Sequence, residues 1–174
     1  VVCPSSLVSN WAAECAKWVP ELKVALHVGG RRGEIPAADI VITSYAILRI
    51  DSEKFQSREF DIAILDEAQQ IKNPDAQISK AAHRLSAKHR FALSGTPVEN
   101  SLQDFWSIME FALSGYLGPR KPFLERFEKP LRKGGDPALA RRLARKLKPV
   151  VLRRLKKEVA KDLPDRIEQV RYCD

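Results

Sequence analysis

The sequence predicts an α/β fold: a parallel sheet with helices on both faces, followed by a basic helical appendage. Three observations lead there. Short continuous apolar runs bounded by polar or turn residues recur along the chain, helical patterns lie between them, and beyond Gly118 the runs give way to prolines, glycines and basic residues. Continuous apolar runs are what strands buried on both faces look like, and their alternation with helices favours parallel pairing. The 174 residues are 44% hydrophobic and 30% charged, too apolar for a disordered chain and numerous enough to close one core without staples.

In chain order, Val1-Val2-Cys3 reads as the end of a strand, and a chain that opens inside a strand and without methionine is expected to be a piece of a longer protein. Ser5 or Ser6 is placed to cap a helix whose residues Leu7, Trp11, Cys15 and Trp18 recur at helical spacing up to Pro20. The β-rich run Val24 to Val28 follows and ends in the loop Gly29-Gly30-Arg31-Arg32-Gly33. Further strands are expected at Ile40 to Thr43, Ile62 to Leu65 and Phe91 to Ser94, with helices over about 75–86 and 103–113. Pro119, Pro122, Pro130, Gly134, Gly135 and Pro137 punctuate the appendage, Leu163-Pro164 breaks a helical stretch, and Ile167 to Cys173 has the pattern of one more strand. These breaks divide the chain into a sheet lobe, 1–118, a basic helical extension, 119–162, and a linker with the possible first strand of a following domain, 163–174.

Charge separates along the same line. Up to Gly118 there are 12 basic and 14 acidic residues, and beyond it 18 basic and 8 acidic. The stripe of Arg141, Arg142, Arg145, Lys146 and Lys148, continued by Arg153, Arg154, Lys156 and Lys157, suits a phosphate backbone as well as it suits a solvated helix face. Cys3, Cys15 and Cys173 are odd in number and lack the paired spacing of a zinc site, so they are expected to be reduced thiols of an intracellular protein. No apolar run approaches the roughly 18 residues of a membrane span.

In a parallel sheet, ligands bind outside the carboxyl ends of the strands. The residues there are Pro4-Ser5-Ser6, Thr43-Ser44-Tyr45, Asp66-Glu67-Ala68-Gln69 and Ser94-Gly95-Thr96-Pro97. An Asp after such a strand can hold the magnesium ion of a phosphoryl-transfer site, and a neighbouring Glu can orient the attacking water. Taken alone, the Asp66-Glu67 pair could equally be a strand end that caps the next turn. The Gly29–Gly33 loop lacks the spacing, the lysine and the hydroxyl of a phosphate loop, and no glycine anywhere in the chain is followed by lysine.

The pair is not alone. Asp66-Glu-Ala-Gln69 followed by Ser94-Gly-Thr-Pro97 resembles motifs II and III of the superfamily-two, DEAD/DEAH-like helicase-like ATPases. Val1-Val-Cys-Pro-Ser-Ser-Leu-Val8 with Trp11, Glu14 and Trp18, then Val41-Ile-Thr-Ser-Tyr45, Ile71-Lys-Asn73, Asn100, Trp106, Leu152-Arg-Arg154 with Lys156, and Leu163-Pro164 resemble the Swi/Snf branch. Across essentially its whole length the chain is similar to the first RecA-like lobe of a Swi/Snf-type translocase on double-stranded DNA, a P-loop NTPase lobe without its N-terminal strand and phosphate loop.

That resemblance implies ATP and Mg2+ as ligands, with Asp66 binding Mg2+ through water and Glu67 polarising the hydrolytic water. Gln69, where the family more often has His, would connect the nucleotide site to Ser94, Gly95 and Thr96. Ser5, Ser6, Thr43, Ser44, Tyr45 and Asn100 would face the DNA backbone, since small hydroxyls grip phosphates without reading sequence; for each hydroxyl a cap or local turn is the plainer reading. It also implies a second RecA-like lobe of the same protein as partner, nucleosome or RNA polymerase as candidate cargo, and no hydrolysis by this chain alone. The competing readings are an RNA or DNA helicase lobe of the same superfamily, and a non-catalytic module binding nucleic acid or protein. Ile71-Lys72-Asn73 argues against the first and the intact Asp66-Glu67 pair against the second. His27, His83 and His89 are dispersed and read as surface or strand residues, and Trp11, Trp18 and Trp106 as core packing.

Overall fold

The structure is a computed structural model, and it describes residues 1–95, 101–132, 134 and 137–154. Thr96, Asn100, Lys156, Lys157, Leu163-Pro164 and the expected strand Ile167 to Cys173 lie outside the described residues. The chain divides into two compact units, Val1–Gly134 and Gly135–Asp174.

The first unit is built on five parallel strands, β1 (Val2–Cys3), β2 (Val24–His27), β3 (Ile40–Ser44), β4 (Glu59–Leu65) and β5 (Ser86–Ala92), in the order β2-β3-β1-β4-β5. β1 is only two residues long, yet Val2 pairs with Thr43 on one side and with Leu65 on the other, so it joins the two halves of the sheet. Helix α1 (Val8–Trp18) follows β1; α2 (Tyr45–Ile50) and α3 (Ser52–Gln56) link β3 to β4; α4 (Gln77–His83) links β4 to β5; α5 (Leu102–Ala112) comes after β5.

Side chains alternate across the sheet, and two clusters form on opposite faces. Cys3 and Ile42 pack with Val8 and Cys15 of α1. Val2, Ala63 and Leu65 face the other way, into a larger core with Leu48, Ile71, Ala82, Ile108 and Phe111. Helices therefore cover both faces, as the sequence implies, but unequally. On β4 and β5 the face opposite the large core is open: Ile62 is 53% and Phe91 52% exposed. The expectation that every apolar run is buried on both faces is corrected here, because among the described residues α1 packs mainly on β2 and β3.

Local differences have local causes. Ser5–Leu7 forms a 3-10 turn, and no side chain caps α1. β5 begins five residues before the apolar run, because its polar first half pairs with β4 from Ser86 onward. Helices α2 and α3 were not expected; Ser44 starts the first by accepting a hydrogen bond from the Ile47 amide at 3.4 Å. Trp18 is 69% exposed and donates to Glu14, so it is no core residue.

After Gly118, α6 (Arg120–Phe123) runs through a π-helical turn, Leu124–Glu128, into α7 (Lys129–Arg132). The Arg120 Nη1 donates to both carboxylate oxygens of Asp75 at 2.8 and 2.9 Å, and the π turn packs on α5, so this segment belongs to the sheet unit. In the second unit, α8 (Pro137–Leu147) buries Leu143 and exposes Arg141, Arg142, Arg145 and Lys146. No helix among the described residues is long and apolar enough to cross a membrane.

Phe111 is fully buried in the large core, whereas Lys88 forms an exposed pair with Asp61. Phe111→Ala is expected to cost about 3–5 kcal/mol of unfolding free energy, and Lys88→Ala to leave the unfolding midpoint almost unchanged, both read by denaturant titration. Equal costs would place the core elsewhere.

Candidate functional site

All five strands run in one direction, so their carboxyl ends share one edge of the sheet, and the predicted residues that are among the described ones gather there. β4 delivers Asp66 and Glu67 to that edge. The Asp66 amide donates to the Val2 carbonyl at 2.8 Å, the Leu93 amide to Leu65 at 2.8 Å, and the Ala68 amide to Leu93 at 2.8 Å. Between these bonds Glu67 takes φ 52°, ψ 51°, and it is the one non-glycine residue with positive φ among those described. A left-handed backbone at such a residue costs on the order of 1–3 kcal/mol and persists only where its neighbours enforce it.

The two carboxylates are held from different sides. Asp66 accepts from the Trp11 indole N–H at 2.8 Å through one oxygen and from the Glu67 amide at 2.9 Å through the other. Glu67 accepts from the Gln69 side-chain amide at 2.6 Å, and the Gln69 carbonyl oxygen accepts from the Ser94 hydroxyl at 2.8 Å. A carboxylate only accepts, so the Gln69 nitrogen must face Glu67 and its oxygen Ser94, which fixes the amide orientation. The 3-10 turn that carries Gln69, Ala68–Ile71, is anchored to α5, where the Ser107 hydroxyl donates to the Ile71 carbonyl.

Tyr45 sits beneath this pair and donates its hydroxyl to the Asp66 carbonyl at 2.8 Å. Burial, reinforced by the Asp66 charge, pushes the Tyr45 phenol far above its ordinary range, so it stays a donor. Burial, with the Asp66 charge adding, likewise raises the Cys3 thiol and keeps it protonated.

Asp66 has the chemistry of a magnesium ligand. Each of its oxygens has one bond from the protein, leaving acceptor capacity toward the sheet edge, and no group of three or more His, Cys, Asp or Glu among the described residues forms a closed cage. Mg2+ bound beside a phosphate substrate takes one or two carboxylates and keeps several waters, so this donor set fits it.

The hydroxyls fall into two groups. Ser5 and Ser6 are exposed at the rim. Thr43, Ser44 and Tyr45 are 1%, 3% and 4% exposed. Thr43 donates to the His27 carbonyl at 2.8 Å, Ser44 caps α2 and Tyr45 bonds to Asp66, so these three hydroxyls are bonded within the protein. The physical reason is their position: they close the end of a central strand, where an unbonded hydroxyl would be costly.

Two features escaped the sequence reading. Trp11 holds Asp66, a partnership 55 residues apart that no local pattern announces. His27, only 3% exposed, meets Asp51 at 2.8 Å, and the Arg32 Nε donates to the same Asp51 oxygen at 2.7 Å, which ties the Gly29–Gly33 loop to the junction of α2 and α3.

The model of the SNF2-related domain matches residues 1–174. The chain is 38% identical to the TATA-binding protein-associated factor mot1 of Aspergillus fumigatus, covering 100% of this chain and 10% of that protein. It is 34% identical to the human TATA-binding protein-associated factor 172, covering 99% of this chain and 10% of that one. Among solved structures, the SWI2/SNF2 ATPase core of Sulfolobus solfataricus in complex with double-stranded DNA superposes with a TM-score of 0.83 at 39% identity, over 94% of this chain and 35% of that chain. The chain thus spans about a tenth of the length of these curated relatives.

The Arg32 hydrogen bond, with a further one from His27 and against the opposing effect of burial, holds the Asp51 carboxyl below the usual carboxylate range. A lowered carboxyl stabilises the fold above its unfolded pKa, near 3.9, and the benefit is lost as pH falls through the lower folded value. Asp51→Asn is therefore expected to lose about 1–3 kcal/mol at neutral pH, with the gap to the parent closing below about pH 4. Unfolding measured against pH checks this, and a gap that stays constant into the acid range contradicts it.

Proposed function

Since the chain belongs to the SNF2-related domain family, we propose that it is part of the first motor lobe of an ATP-dependent translocase on duplex DNA, working inside the cell. The observation that carries this reading is the hydrogen-bonded run from Glu67 through Gln69 to Ser94, beside an Asp66 held by Trp11. When Mg2+ is bound, Asp66 would hold it through water, and the ion would neutralise charge on the ATP phosphates. Glu67 has the position of a group that orients and polarises the attacking water, and Gln69 keeps its carboxylate from swinging away. A change at the Ser94-Gly95-Thr96 segment reaches Glu67 through one side chain, which is how DNA engagement and hydrolysis would be coupled.

Duplex DNA is the nucleic acid we propose, since the archaeal neighbour was solved with double-stranded DNA. The exposed arginines and lysine of α8 would add sequence-independent attraction to its backbone. Movement along DNA would need a second RecA-like lobe closing on this one, and the cargo, a nucleosome, RNA polymerase or another bound protein, would be set by the rest of the parent protein. The 174-residue chain alone is proposed not to turn ATP over, because it contains no glycine-lysine pair for a phosphate loop.

The test is ATP hydrolysis by the full-length protein with and without duplex DNA. Stimulation by the duplex, with Glu67→Gln lowering kcat by about 100-fold or more while ATP still binds, is the expected outcome. No hydrolysis with any nucleic acid would overturn the motor reading and favour a binding module.

A further inference from the structure

All three tryptophans donate their indole N–H, but to very different partners. Trp18 donates at 2.8 Å to Glu14, one turn back on the exposed side of α1, and Trp106 donates at 3.0 Å to the Gly118 carbonyl. Trp11 reaches the rim, where its Nε1 donates to Asp66 Oδ2 at 2.8 Å. Val8, Trp11 and Cys15 share one face of α1, and that face packs on Cys3 and Ile42 of the sheet. The helix that supplies the indole is therefore held in place. It also follows directly on β1, whose Val2 carbonyl accepts from the Asp66 amide. One short stretch of chain thus fixes Asp66 twice, in its backbone through Val2 and in its side chain through Trp11.

We propose that Trp11 is a positioning residue for magnesium, setting the direction in which Asp66 presents its carboxylate to the ion's water shell. The inference rests on the motor reading given above and concerns the metal half of that site. The Glu67 amide reaches Asp66 Oδ1 at 2.9 Å, but it belongs to the adjacent residue and turns with it. Among the described residues, the Trp11 N–H is the one bond to this carboxylate from another element. With both oxygens bonded, the plane of the carboxylate is set, and each oxygen keeps acceptor capacity in a defined direction. A water held between Asp66 and the ion donates into that capacity, so a rotated carboxylate loses the contact even with its charge intact. The indole suits this task because it is a neutral donor. It makes a charge-assisted bond to the carboxylate without bringing a positive charge that would oppose the cation, as an arginine or lysine would. Outer partners of this kind set metal affinity by about 10- to 100-fold.

The experiment is equilibrium binding of a non-hydrolysable ATP analogue to the full-length protein, in Mg2+ and in EDTA, at about pH 8, where an ordinary imidazole is neutral. Two variants separate orientation from packing. Trp11→Phe keeps an aromatic ring and removes the N–H, whereas Trp11→His loses the larger ring and keeps a ring N–H at the same place along the side chain. The parent is expected to bind more tightly in Mg2+ than in EDTA. Trp11→Phe is expected to lower that gain by about 10-fold with its affinity in EDTA unchanged, and Trp11→His to retain most of the gain. Trp106→Phe, which also gives up an indole hydrogen bond, is expected to keep all of it. If Trp11→Phe keeps the gain, or Trp11→His loses more of it than Trp11→Phe, the indole acts through packing and the inference fails while the motor reading stands. A loss in Trp11→Phe that is equal in EDTA and in Mg2+ overturns the inference in the same way. A parent that binds no nucleotide, or gains nothing from Mg2+, removes the motor reading and the inference with it.

Discussion

The left-handed backbone at Glu67 is the constraint around which the rim is arranged. A residue with a side chain takes that conformation only when the flanking chain is fixed on both sides, and here the bonds of Asp66 to β1 and of Ala68 to Leu93 do so. The result is that two adjacent carboxylates, which would alternate sides in a continuing strand, are delivered to different partners. Asp66 is held by α1 through Trp11, and Glu67 is held by the turn that reaches Ser94. We propose that separating the two groups gives each its own task, one toward a cation and one toward a water.

That arrangement depends on a two-residue strand. β1 lies between β3 and β4, and its Val2 carbonyl accepts from the Asp66 amide, so the shortest strand fixes the register of the strand that carries the two carboxylates. Its alternation also assigns the cores: Val2 points into the large cluster and Cys3 into the smaller one beneath α1. The large cluster then supports the rim from below, because Tyr45, Ala68 and Ile71 belong to it as well as to the site. Packing and chemistry share residues, so a change in the core beneath Glu67 would be felt at its carboxylate.

Much of this was legible in the sequence, and the remainder fails for identifiable reasons. Asp66 and Glu67 were placed correctly at the rim because a continuous apolar run ended at them, and β3 and β4 were found the same way. The first half of β5 was hidden because Lys88-His89-Arg90 breaks the apolar pattern, although the backbone pairs with β4 throughout. Helix α2 was hidden because its residues continue an apolar strand pattern with no sequence break, the Ser44 cap being visible only in three dimensions. The hydroxyls at 43–45 showed their chemistry but not their direction, since residue type does not say which side of a strand end is filled. The Trp11 bond to Asp66 and the Asp51 cluster are tertiary, and spacing along the chain carries no trace of them.

We propose that Gln69 transmits engagement at the rim to the Glu67 carboxylate. It is tested most directly by Gln69→Ala in the full-length protein, with ATP turnover measured at saturating nucleotide with and without duplex DNA. The variant is expected to bind ATP and DNA still but to lose most of the stimulation that DNA gives the parent. A variant stimulated as strongly as the parent would contradict it, because Glu67 would then be positioned by something other than the Gln69 and Ser94 side chains.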